Sequence, residues 1–464
     1  MHSNLSQIIS LGRRPDTNHV WKISGDEYWR PFTNATTLPQ YFKENGYISI
    51  GMGKVFHPGS ASGKDDYMYS WSPEGLPYYH SPLENDYGPG NKTSSWWSFE
   101  GFKDNQLPDG QIADNAVSVL KELGQNRSKG DNRPFFLAVG FHKPHMPLYA
   151  PDRYFDMYPP INETELAMNK DAPDGMPDIA WSVWSYFRTF KDMNFDKGCI
   201  SDAEASIHSQ KCHMPDEKAR ELRRAYYSCI SYTDAQIGKV IEELKAQGFD
   251  DNTIIVLWGD HGWQLGEHNE WEKYTNFEDA VHVPFILHVP GITDKGMRSN
   301  ALVELIDIFP SLTELAGLKV PSVCPEDNNS LLTCIEGTSV VPLLENPSTQ
   351  WKKAVFSQYA RPLSGLHQIP NKPKFSLEKV GHSEDVMGYT MRVDQYRFTE
   401  WYSFNRTSAT PYFDKIWGTE LYDHTNSTVL FNDENENLAN KPEMQSLVEE
   451  LRKQLHAGWR SATP

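Results

Sequence analysis

Two hydrophobic patterns alternate along the first three quarters of the chain. Residues 112–124 (IADNAVSVLKELG) and 215–246 repeat apolar side chains three and four positions apart, the spacing of a helix that buries one face. The first is predicted to end at Gly124 and the second near Gly248, because glycine accepts the backbone that closes a helix. Each is followed by a short run with no polar face, FFLAVG at 135–140 and TIIVLWG at 253–259. Helix followed by wholly apolar strand predicts an α/β fold, a mixed, mostly parallel sheet sandwiched by helices. A third helix is expected over 302–317, kinked at Pro310. Near residues 345–352 the pattern changes. MGYTMRVDQYRFTEWYSF (387–404) alternates like an antiparallel hairpin turning at Asp394-Gln395, and the next long helix is expected at 442–457. The expected division is a large α/β domain over 1–345 and a smaller C-terminal α+β subdomain with antiparallel strands over 346–464.

In such sheets ligands bind beyond the carboxyl ends of the strands, and both predicted strands run into loops rich in His, Asp and Lys. After TIIVLWG comes GDHGWQLGEHNEWEKYTNF, where Asp260 offers an oxygen to a hard cation, His261 a nitrogen, and Lys273 an anion anchor. After FFLAVG comes FHKPHMP, where two prolines stiffen a loop bearing His142, Lys143 and His145, a setting for proton transfer or anion binding. The segment GMGKVFHPG (51–59) sets Lys54 and His57 three residues apart between glycines. Each segment taken alone reads as readily as a polar surface loop. Together they make a cationic pocket for a tetrahedral anion, sulfate or phosphate, in an otherwise acidic protein.

Charge and cysteine usage narrow the setting. A formal net charge of -18 repels phosphate backbones, which argues against nucleic acid. No apolar run is long enough to cross a membrane. Glycosylation sequons stand at Asn34, Asn91, Asn126, Asn162, Asn328, Asn405 and Asn426, with another at Asn4, and point to the secretory pathway. Cys324 and Cys334 bracket a polar loop that reads as a local disulfide; Cys199 and Cys212 bracket a second, and Cys229 falls in a helix as a buried thiol. The start, MHSNLSQIISLGRRPD, has no apolar signal region, so a preceding stretch of chain is expected to be missing.

The strings GRRPDT, YFKENGY, GKVFHPG, FFLAVGFHKPHMP, GDHGWQLGEHNEWEKYTNFE, VELIDIFPSLTELAGL, SQYARP and MGYTMRVDQYR, in this order, resemble the sulfatase family in its iduronate-2-sulfatase branch. The resemblance implies an alkaline-phosphatase-like α/β sandwich and a lysosomal enzyme removing the 2-O-sulfate of iduronate in heparan and dermatan sulfate. It implies one Ca²⁺ on Asp260 and His261, sulfate held by Lys54 and Lys273, His57 assisting the nucleophile, and His145 as proton donor to the leaving oxygen. Trp263 and His142 would line the substrate, and Cys324–Cys334 resembles a family disulfide. The family's nucleophile is a formylglycine made from the Cys of Cys-x-Pro-Ser-Arg, and none of the five cysteines stands in that motif. The chain as written is therefore expected to be inactive alone. The competing expectations are a non-catalytic secreted protein that binds sulfated glycans, and a phosphatase or phosphodiesterase of the same superfold.

Overall fold

The computed structural model describes residues 10–18, 30, 34–57, 62–73, 77–83, 97–98, 101–182, 190, 213–326, 332–361, 384–405, 408–425 and 433–464. In chain order its main elements are helix α1 (Leu38–Glu44), strand β1 (Ile48–Gly53), α2 (Pro108–Ser128), β2 (Phe135–Gly140), α3 (Asp216–Ala246), β3 (Ile255–Trp258), β4 (Gln264–Leu265) and β5 (Trp271–Glu272). There follow β6 (Phe285–His288), α4 (Ile308–Leu315), β7 (Ala354–Arg361), β8 (Glu384–Val393), β9 (Tyr396–Asn405), β10 (Thr410–Asp423) and α5 (Gln445–Ala457).

Strands β1 and β2 pair in parallel, from Ile48 opposite Phe135 to Gly53 opposite Gly140. Strands β3 and β6 pair antiparallel, so the layer is mixed. Side chains alternate across it, as strand geometry requires. Leu137, Val139 and Ile255 pack with Ile112, Leu120 and Leu244 of α2 and α3. Phe136, Val256 and Trp258 pack with Leu38, Phe42, Phe309 and Leu312 of α1 and α4. Both strand pairs thus lie between the same two helical layers. Among the described residues β2 and β3 are each paired on one side only, and all their side chains are only partly buried.

The second sheet runs in the order β10-β9-β8-β7, wholly antiparallel. One face joins the main core through Tyr359, Val386 and Trp401. The other packs Met391, Phe398 and Leu421 against Val448, Leu451 and Leu455 of α5.

Two expected details differ. Helix α2 does not stop at Gly124 but runs on to Ser128. A Cβ at Gly124 would lie 2.1 Å from Gln247 Oε1, the far end of a flexible side chain just past the end of α3. The region 302–317 is a short 3₁₀ turn (Leu305–Asp307) leading into α4. Pro310 falls in the first turn of α4, where its missing N–H costs nothing and no kink follows. The hairpin turn lies where expected, between Val393 and Tyr396. Cys324 and Cys334 form a disulfide and Cys229 is a buried thiol; Cys199 and Cys212 lie outside the described residues. Of the sequon asparagines, Asn34 and Asn162 are exposed, Asn126 is half-buried in α2, and Asn405 donates to the Tyr412 hydroxyl at 3.1 Å. Asn91, Asn328 and Asn426 lie outside the described residues. No described helix is long and apolar enough to cross a membrane.

Candidate active site

The carboxyl ends of β1, β2 and β3 deliver three of the predicted segments. The ends of β1 and β2 pinch together at two glycines. A Cβ at Gly53 would stand 2.1 Å from Gly140 O, and one at Gly140 would stand 2.2 Å from Lys54 C. Only glycine allows this approach, and Gly53 also holds φ at +67°. Lys54 follows directly. From β3 the chain passes through Asp260 and His261 to Gly262, whose Cβ would meet Asp279 O at 2.0 Å. The small β4–β5 hairpin then returns Lys273 to the same place.

The four side chains form a relay of short contacts. Lys54 Nζ lies 3.7 Å from Asp260 Oδ2, Asp260 Oδ1 lies 3.7 Å from His261 Nε2, and His261 Nε2 lies 3.0 Å from Lys273 Nζ. The His261 Nδ1–H donates to Gly262 O at 2.8 Å, which leaves the Nε2 lone pair facing the pocket. Trp263 backs the relay. The Lys273 ammonium lies 6.0 Å from its ring centroid, and the His145 and His261 rings lie 6.3 and 6.5 Å away.

The electrostatics follow from burial against these neighbours. Burial pushes the Asp260 carboxyl up, but His261, Lys54 and Lys273 outweigh it and hold the group at about 2. Burial, with Lys273 and Lys54 adding to it, brings His261 down to about 3. The imidazole is thus neutral at pH 7, and the charge holding Asp260 ionised there is that of the lysines. Burial and the neighbouring Lys54 bring Lys273 down to about 7. Burial, Lys273 and Lys54 push His145 well below its usual value.

Not every predicted residue takes part in the relay. His57 is half-buried in the turn after Lys54. The His142 ring sits 3.3 Å from Asp109, and the Lys143 ammonium donates to the carbonyls of His145 and Pro147 at 3.0 and 2.5 Å. Two groups went unread in the sequence. Asp109 fastens this loop from the first turn of α2, and Tyr226 of α3 stacks on Trp263 with ring centroids 6.2 Å apart. The pattern around Pro108-Asp109 signals a helix start, but nothing local tells what the carboxylate reaches.

As a cation site, Asp260 and His261 fit in kind, an ionised carboxylate beside an imidazole lone pair. A calcium ion takes six to eight oxygen ligands, of which Asp260 supplies at most two while His261 would add a nitrogen, so a bound ion draws the rest from elsewhere. A second cluster, Glu278, His424 and Glu434, has ligand atoms within 4.8 Å of one another. The Arg397 guanidinium bonds both Glu278 and Glu434, and Arg392 Nε lies 3.5 Å from Glu278 Oε2, so two arginines balance the two carboxylates. A cavity of about 1610 Å³ runs from Asp260 and His261 along β6 and β7, past Asn276, Tyr389 and Arg392. It exceeds the roughly 300–1,000 Å³ usual for small-molecule pockets.

Residues 9–318 match the family model described as sulfatase, and residues 266–372 match that of the N-sulphoglucosamine sulphohydrolase C-terminal region. The chain is 35% identical over 457 residues to iduronate 2-sulfatase of Homo sapiens, covering 89% of this chain and 78% of that protein. It is 26% identical over 327 residues to a choline-sulfatase of Rhizobium meliloti, covering 66% of this chain and 57% of that protein. Among solved structures, the phosphonate monoester hydrolase of Silicibacter pomeroyi superposes with a TM-score of 0.66 at 18% identity, over 99% of this chain and 86% of that one. A 2-O GAG sulfatase superposes with a TM-score of 0.59 at 20% identity, over 98% and 80%. At these identities the structural likeness speaks for the fold.

Proposed function

The chain belongs to the sulfatase family of sulfuric ester hydrolases, and on that premise we propose that its pocket takes the 2-O-sulfate of a terminal iduronate in heparan or dermatan sulfate. The observation that carries this reading is the relay Lys54–Asp260–His261–Lys273, with steps of 3.7, 3.7 and 3.0 Å, drawn from two distant segments. Two ammonium groups in one partly dry pocket suit an anion of delocalised charge, and donors fixed in advance stabilise charge that grows during reaction. In this reading Lys54 and Lys273 hold sulfate oxygens, and Trp263 forms a wall against the sugar. Asp260 and His261 are ligands for a cation, proposed as Ca²⁺, which supplies Lewis-acid stabilisation of the sulfate oxygens when bound. His57 is proposed to assist the nucleophile and His142 to line the substrate.

His145 is the proposed proton donor to the departing sugar oxygen. In the pocket without an anion its ring is neutral. A bound sulfate ester sets a negative charge beside the same lysines and so restores proton affinity to the imidazole. No covalent step is assigned, because no cysteine fits the family's nucleophile. Cys324 and Cys334 are bonded to each other, Cys229 is buried in α3, and neither Cys199 nor Cys212 stands in Cys-x-Pro-Ser-Arg. The sequons and the disulfide support a lysosomal or secretory setting, and the fold supports the division near residue 345 into a main domain and a C-terminal subdomain.

The test is calorimetric titration of the 464-residue chain with a 2-sulfated iduronate disaccharide, with sulfate release followed in parallel. Binding that is lost in Lys54→Met and Lys273→Met, without release of sulfate, is expected. Equal binding by the unsulfated disaccharide sinks the substrate assignment, and calcium-dependent release overturns the account of the nucleophile.

A further inference from the structure

We propose that Asp109 and Lys143, neither of which joins the pocket's relay, are positioning residues that clamp the loop 141–147 and so fix the direction of the His145 imidazole. This rests on the sulfate-ester reading only for its consequence in binding; the clamp itself is a matter of local geometry.

The loop leaves β2 at Gly140 and carries prolines at 144 and 147, which bring no N–H to any hydrogen bond. Buried backbone groups left without partners are costly, so a non-repeating loop under a helix must find them elsewhere. Asp109 supplies one end. Its two carboxylate oxygens accept the backbone N–H groups of His142 and Lys143, each at 2.8 Å, and the residue is 1% exposed. Its place in the first turn of α2 suits a carboxylate, because the helix dipole is positive there. Lys143 supplies the other end. Its ammonium folds back to the carbonyls of His145 (3.0 Å) and Pro147 (2.5 Å), so one charge ties both sides of Met146. Thr233 of α3 holds Lys143 O at 3.3 Å from outside the loop.

The result is directed at a single ring. The His145 Nδ1–H donates to Met146 O at 2.6 Å, which sets the tautomer and leaves Nε2 without a proton. If the carbonyls at 145 and 147 lose their tie, that acceptor loses its fixed place as well. Lys143 differs in this from Lys54 and Lys273: its charge is spent on the protein's own backbone.

The experiment is ¹⁵N-histidine NMR of the full chain at pH 7, with the His145 resonances assigned by their loss in His145→Gln. The wild type is expected to show a protonated Nδ1 and an unprotonated Nε2 in slow exchange. Lys143→Met and Asp109→Ala are expected to average the two tautomers while keeping the native circular dichroism. Asp109→Asn, which retains one acceptor oxygen, is expected to fall between. Disaccharide affinity should drop in step, on the order of tenfold to a hundredfold for a misplaced group. An unchanged His145 signature in folded Lys143→Met and Asp109→Ala overturns the proposal. So does failure of both variants to fold, since the pair would then hold the protein and not the loop. A wild type that shows the signature yet binds no sulfated disaccharide removes the proposed function and leaves the clamp standing.

Discussion

Lys273 is 4% exposed and lies beside Lys54, and burial with that neighbour brings it to about 7. Its charge is present below that pH and lost above it. Affinity for a sulfate ester is therefore predicted to weaken as pH rises from 6 to 8. Lys273→Arg, which stays charged throughout, should flatten the profile, and titrations at several pH values read both. Removing the charged hydrogen bond in Lys273→Met is worth about 1.5–3 kcal/mol, or roughly tenfold to a hundredfold in affinity. The sequence exposed Asp260, His261 and the loop 141–147 because each follows an apolar run, whereas Lys54 and His57 showed only as a glycine-flanked pair and Lys273 only as part of the string after Asp260. It did not expose how they divide. Lys143 looks as cationic as Lys54 in a string of letters, and only its partners, the carbonyls of His145 and Pro147, set it apart from the pocket.

At the scale of elements, glycines that look alike do opposite things. A Cβ at Gly262 would meet the Asp279 backbone at 2.0 Å, whereas one at Gly124 would meet the end of the Gln247 side chain at 2.1 Å. Gly262→Ala is predicted to destabilise by more than about 2 kcal/mol, a cost reserved for clashes of this kind. Gly124→Ala is predicted to be neutral or stabilising by up to about 1 kcal/mol, because the helix continues through it and Gln247 can swing aside. Urea denaturation of the two variants decides the matter, and equal costs refute the distinction. The same contrast explains what the sequence hid. Periodicity placed α2, α3, β2 and the β8–β9 hairpin, since one buried face is enough to write the pattern. The end of α2 and the first turn of α4 were misjudged because Gly124 and Pro310 answer to packing and position, which no local pattern records.

For the whole molecule, buried carboxyls dominate the response to pH. Burial lifts Asp16 to about 6, Glu420 to about 7, Asp279 to about 8 and Glu270 well above the usual range. The folded chain thus holds protons that the unfolded chain releases near pH 4, and that stability is lost as pH rises through 6 to 8. Lys273 opposes this above pH 7, as one group against Asp279 and Glu270. Below about 6.5 the buried neutral His145, His261 and His268 act the other way, since the unfolded chain would protonate them. The melting temperature is therefore predicted to be higher at pH 6.5 than at pH 8; the reverse order would remove the carboxyls as the controlling groups. Among the described residues the strands β2 and β3 are each paired along one edge only, and that has a practical consequence of another sort. An apolar strand bonded along one edge offers the other as a template for a passing chain. Solutions of this protein should then cloud sooner as they are concentrated, with light scattering rising more steeply than first order, and purification in dilute, cold buffer should preserve it longest.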